Sequence, residues 1–181
     1  MDIYKEKFTK LEKEIFKILS ANYGKKLNQR AIALALGVSP TAVAKSIKNL
    51  DNVGLIKVNK DKASDTFEIE INAENNRTFF MRRVENLRMI YESGLTEYLF
   101  DEFPGATIIL FGSYSFGEDT SSSDIDIAII EGKEKELKLT RFEKIFNKKI
   151  MIQFHSGFGS IHKNLRENLF NGIVLKGSVR L

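Results

Sequence analysis

Asp124 and Asp126 stand two positions apart at the head of DIDIAII, an otherwise apolar run ending at Ile130. A carboxylate in such a run is costly to bury unless something pairs with it. Side chains two apart on a strand share a face, so the pattern sets two carboxylates side by side. Like charges that close together hold one of the pair protonated. A divalent cation reverses that preference, and Mg²⁺ is best served by a couple of carboxylates completed by waters and phosphate oxygens. Asp124 and Asp126 are therefore the candidate metal ligands, for Mg²⁺ or Mn²⁺. Upstream, Gly112 and Ser113 end the stretch ATIILF. Gly112 lets the backbone come close to a phosphate. The Ser113 hydroxyl and the amides of the turn can donate to that phosphate, aided by the start of a following helix. A plain polar loop with Asp124 capping a turn accounts for Asp124 but not for Asp126.

The elements that must position these residues can be read on either side. Thr107–Phe111 reads as a strand, Tyr114–Phe116 as one helical turn, and Asp124–Ile130 as a second strand. A helix fits 137–147, KIMIQFH is a third strand, SIHKNLRENLFN a helix and GIVLKG a last short strand. Residues 73–103 carry apolar side chains at helical spacing, with a break at Ser93–Gly94, and form a connecting helix between two domains.

The segment GSYSFGEDTSSSDIDIAII resembles the signature of the minimal nucleotidyltransferases of the DNA polymerase β-like superfamily. Ten residues separate Ser113 from Asp124, and Gly117 and Ser123 fall in the expected order. The resemblance covers roughly 95–181. It implies a mixed β-sheet flanked by helices, catalytic roles for Asp124 and Asp126, and a nucleoside triphosphate held by Gly112, Ser113 and Ser123. It also implies a third carboxylate from a later strand, completing a metal pair and accepting the proton of an attacking hydroxyl. Here that strand is KKIMIQFHS. Met151 occupies the matching position, and neither it nor Gln153 is a carboxylate. Gln153 and His155 are the candidate substitutes, since Met151, Gln153 and His155 share one strand face. Glu131 falls on the opposite face from the aspartates, and Glu118 and Asp119 lie on the intervening loop.

The N-terminal part has its own pattern. Ile3, Phe8, Leu11, Ile15, Ile18 and Leu19 recur at near-helical spacing. Asn28 is placed to cap a helix that Gly37 stops. Ser39 caps the next, with Pro40 at its first position, where a missing N–H is harmless. LIKVNK and TFEIEIN then alternate like two strands joined by KDKASD. Through RAIALALGVSPTAVAKSIKNL and GLI, residues 3–72 resemble a winged helix-turn-helix domain. That resemblance makes 40–50 a recognition helix, with Thr41, Ala42, Lys45 and Ser46 toward base edges and Lys48, Lys60 and Lys62 near phosphates. Such domains also serve as dimerisation modules.

Composition is consistent with these readings. Hydrophobic residues make up 43% of the 181, enough for a core, and there is no cysteine for a disulfide or thiolate site. No apolar run is long enough to span a membrane, so no membrane association and a cytoplasmic location are expected. The basic excess is concentrated in residues 1–72, which carry 13 Lys and Arg against 9 Asp and Glu.

The expected organisation is thus α+β: a winged helix-turn-helix over 1–72, a connecting helix over 73–103 and a nucleotidyltransferase fold over 104–181. The whole resembles small prokaryotic, especially archaeal, proteins of that arrangement; related small enzymes can act within toxin–antitoxin systems, modifying a partner protein. The partners implied are a nucleoside triphosphate, double-stranded DNA, and either a protein acceptor or a second copy of the chain. Three functions remain open at this level. One is an enzyme that transfers NMP from an NTP to a hydroxyl. Another is a nucleotide-sensing transcriptional regulator with little or no catalysis. The third is a DNA-binding module whose second domain only dimerises.

Overall fold

The computed structural model describes residues 8–60 and 66–179. The chain divides into two compact units, Met1–Phe79 and Phe80–Leu181.

In the first unit, α1 (Lys10–Ala21) opens on a reciprocal cap that the apolar periodicity does not reveal. Thr9 Oγ1 accepts from the Glu12 amide, and the Thr9 amide donates to Glu12 Oε2 at 2.7 Å. The Glu12 carboxylate also accepts from Asn49 Nδ2 at 2.7 Å. Burial pushes its pKa up, but the bonds from Asn49 and Thr9 outweigh that and leave it below the ordinary value. A short strand β1 (Leu27–Asn28) leads into α2 (Gln29–Leu36), where Asn28 Oδ1 accepts from the Ala31 amide at 2.8 Å. Gly37 closes α2 in the left-handed region, and Ser39 caps α3 (Pro40–Asn52) with proline in its first turn. The hairpin β2 (Ile56–Lys60) and β3 (Phe67–Ile71) follows. Two residues are too few to show alternation, so β1 escapes a reading of pattern. It pairs with β3 nonetheless, giving the order β1-β3-β2. Ile15, Ile32, Val43, Leu50 and Ile69 form the buried centre.

The division between units falls within α4 (Asn76–Glu92), whose turns from Phe80 onward belong to the second. Gly94, in the left-handed region, separates α4 from α5 (Leu95–Glu102). Then come β4 (Thr107–Phe111), α6 (Gly112–Phe116), β5 (Ile125–Ile130), α7 (Thr140–Phe146) and β6 (Ile150–His155). A single 3-10 turn precedes α8 (Lys163–Phe170) and β7 (Ile173–Lys176). The helix read over 137–147 is shorter in the structure, and Leu137 and Leu139 pack on the core from outside it.

The sheet runs β6-β5-β4-β7 and is mixed: β5 and β6 are parallel, while β4 is antiparallel to β5 and to β7. Both faces are covered, which is why β5 reads as a near-continuous apolar run. Ile125, Ile127 and Ile129 pack with Ile90, Leu95, Leu99 and Phe142. Ala128 and Ile130 pack on the other face with Phe158, Ile161 and Leu169. Asp126 belongs to this second face by alternation, one step before its apolar cluster begins. Among the described residues no single helix is long and apolar enough to cross a membrane.

Candidate functional site

The C-terminal end of β4 and the start of β5 bring the turn and the carboxylates together. Phe111 pairs with Asp126 across the antiparallel ladder. Gly112 follows with φ +71°, and a Cβ placed on it would stand 2.5 Å from Asp126 Oδ2. Two independent facts thus require glycine here: the left-handed backbone and the carboxylate pressed against it. Ser113 lies in the first turn of α6, which ends at Gly117. The loop then folds on itself, the Glu118 amide donating to the Ser113 carbonyl at 3.0 Å. Ser123 Oγ accepts from the Thr120 amide at 2.9 Å, bracing the loop just before the aspartates.

Asp124 is exposed and Asp126 half-buried. Burial first, and then the charge of Asp124, raise the Asp126 carboxyl above its ordinary value. Two acids in mutual repulsion, one of them partly stripped of water, form a donor set that a divalent cation would relieve. The parallel register gives each β6 residue its place. Met151 lies beside Asp126 and is 49% exposed, Gln153 lies beside Ala128, and His155 beside Ile130. At about 3.3 Å per residue, His155 is some 13 Å along the strand from the Asp126 register, too far to share a metal or a proton with it. Its ring is also held below the ordinary histidine pKa by burial. Gln153 is one pleat period away, and Met151 takes the position beside the aspartate. Among the described residues no three His, Cys, Asp or Glu side chains gather to hold a metal.

On the first unit, Thr41, Lys45 and Lys48 stand on the exposed face of α3, and Ala42 is half-buried. Ser46 was expected on the same outward face. It is instead 6% exposed, one residue before Ile47 on the side that packs inward. Lys60 ends β2 and is exposed, whereas Lys62 lies outside the described residues.

Residues 8–57 match the family described as winged helix-turn-helix DNA-binding, and residues 93–178 match the nucleotidyltransferase domain. The chain joins a winged helix-turn-helix to a nucleotidyltransferase domain. No curated protein matches it in sequence. Solved structures that match part of this chain include a variant of ZitR from Lactococcus lactis, at 21% identity and a TM-score of 0.42 over 55% of this chain. AdcR, the adhesin competence repressor from Streptococcus pyogenes, is 20% identical over 56% of this chain and 71% of its own, with a TM-score of 0.44. The chain spans 64% of the length of the ZitR variant.

The second unit also contains a buried polar cluster that the sequence reading did not assemble. Asp119, on the loop, is 3% exposed. Its Oδ1 accepts from Asn86 Nδ2 at 2.7 Å and faces Arg82 Nη2 at 3.3 Å, and its Oδ2 faces Lys148 Nζ at 3.1 Å. The available signal was Arg82 and Asn86 at i and i+4, one face of α4, where a buried helix face should read as apolar.

Proposed function

We propose that the nucleotidyltransferase domain binds a nucleoside triphosphate with Mg²⁺ or Mn²⁺ and that the winged helix binds double-stranded DNA. The observation that carries the first half is the approach of Gly112 to Asp126. It sets a turn able to receive phosphate oxygens against a carboxylate pair in need of a cation. Asp124 and Asp126 would hold the metal, and Gly112, Ser113 and Ser123 would line the phosphates. The second half rests on the exposed Thr41, Lys45 and Lys48 of α3, with Lys60 at the wing.

If the domain is active, an acceptor hydroxyl oxygen bonds to the α-phosphorus, pyrophosphate leaves with the electrons of the broken bond, and the hydroxyl proton passes to a base. The register of Met151 with Asp126 favours a second reading. Where the resembling enzymes offer a carboxylate for that proton and for a second metal, this chain offers a thioether, which serves neither purpose. On that reading the domain senses nucleotide and the winged helix regulates transcription, with slow or no transfer.

Calorimetry with ATP and with GTP plus Mg²⁺ tests the binding, with Asp124→Ala/Asp126→Ala as the control. Binding by the parent and none by the double variant is expected; equal binding by both would sink the proposed site. An NTP labelled at the α-phosphate then separates the readings, because only transfer moves label onto an acceptor.

A further inference from the structure

We propose that Arg82, Asn86 and Lys148 are positioning residues for the nucleotide site, holding the loop 117–123 through Asp119 in the shape that receives the triphosphate. This inference rests on the site reading above. Arg82 is fully buried, Asn86 is 8% exposed, and the Lys148 side chain is 8% exposed. Arg82 spans the loop: Nη1 donates to the Gly117 carbonyl and Nη2 to the Asp119 carbonyl at 2.6 Å. Asn86 Nδ2 reaches the Tyr114 carbonyl at 2.9 Å, in the middle of α6. From the opposite direction, two residues before β6, Lys148 Nζ donates to the Thr120 carbonyl and to the Ser123 carbonyl at 3.2 Å.

These carbonyl acceptors run from Tyr114 to Ser123, the chain between the Ser113 turn and Asp124. Burying ionic groups carries a desolvation cost of several kcal/mol per ion, so such clusters are weak evidence for stability. Their better-attested value is in fixing one conformation. Here the cluster has no catalytic side chain of its own and binds mainly backbone carbonyls. A loop tied at both ends and in the middle does not have to be ordered when ligand arrives, and that removes a cost of binding.

The test uses Lys148→Met, which keeps the apolar stem, with Lys148→Arg as the conservative rescue and Asp119→Asn as a second, near-isosteric lesion. Four quantities are measured on the full chain: melting temperature, Mn²⁺ binding without nucleotide, amide hydrogen exchange over 114–124, and ATP–Mg²⁺ affinity by titration. Lys148→Met is expected to remain folded, to bind Mn²⁺ as the parent does, and to show faster loop exchange. Its nucleotide affinity is expected to fall by about tenfold, equivalent to about 1.4 kcal/mol, and Lys148→Arg to recover most of it. A folded Lys148→Met or Asp119→Asn protein that binds ATP–Mg²⁺ within about twofold of the parent, a difference of less than about 0.5 kcal/mol, overturns the inference alone. A parent protein that binds no nucleotide overturns the site reading and this inference with it.

Discussion

Gly112 and Asp126 are so close that the glycine's missing side chain is occupied by the carboxylate: an added Cβ would lie 2.5 Å from Oδ2. Gly112→Ala would both strain a backbone at φ +71° and push the carboxylate off its place. The strain alone is expected to lower stability by about 1–3 kcal/mol. Metal and nucleotide binding should weaken as well. Chemical denaturation gives the first quantity and calorimetry the second. An alanine variant with unchanged stability would show that the turn adopts another conformation.

The Asp126 carboxyl lies above its ordinary pKa because of burial and of Asp124. The folded protein therefore holds this proton more tightly than the unfolded chain. Its ionisation opposes folding: stability falls as pH rises from the ordinary aspartate range through the raised value, and the penalty persists above it. In metal-free buffer, Asp126→Asn is expected to be more stable than the parent at neutral pH. That advantage should shrink as pH falls through the raised value and be gone below the ordinary aspartate range. Melting temperatures of both proteins between pH 3 and 8 would check it, and an advantage that grows toward acid would contradict the sign.

Met151 stands beside Asp126 with half its surface exposed. Met151→Asp would place a third carboxylate at that point. Mn²⁺ affinity is expected to rise by about tenfold, equivalent to about 1.4 kcal/mol, while the metal-free protein becomes less stable through added like-charge repulsion. If the transfer reaction is limited by this residue, label from an α-phosphate NTP should appear on an acceptor faster in the variant.

Lys45 and Lys48 are exposed on α3, whereas Ser46 between them is buried. Replacing Lys48 by alanine is expected to weaken DNA binding across sequences and to reduce the salt slope by about one. Ser46→Ala should leave that slope unchanged and act on stability instead. Fluorescence anisotropy over a range of salt concentrations separates the two. A Ser46→Ala protein of normal stability with relaxed sequence preference would restore Ser46 to the groove.

Most of the architecture was legible because local chemistry marks it. Asn28, Ser39–Pro40 and Gly37 delimit the helices around the tight turn, and the Gly-Ser turn and paired aspartates mark the candidate site. What escaped has a common cause: it depends on distant partners. Strand β1 exists because Leu27 meets Ile69, and the outward reading of Ser46 failed because position along a helix gives spacing but not which neighbours cover each side. Likewise His155 shares a strand face with Met151, and alternation alone cannot say that the register carries it to Ile130. The sequence places Asp119 on a loop but not among its partners, because Arg82 and Lys148, which pair with it, lie 37 residues before and 29 after it.

The antiparallel pairing of Phe111 with Asp126 also bears on the order of assembly. Only 14 residues lie between those two, while Asp126 and its β6 neighbour Met151 are separated by 24, including α7. Closing the shorter loop loses less entropy, and more local pairings tend to form earlier. The turn and the two acids are therefore expected to meet on the β4–β5 hairpin before the sheet is complete, so that their mutual repulsion is felt during folding. Divalent metal added to a refolding reaction should then raise the refolding rate itself, a kinetic signature that metal capture by the finished fold would lack.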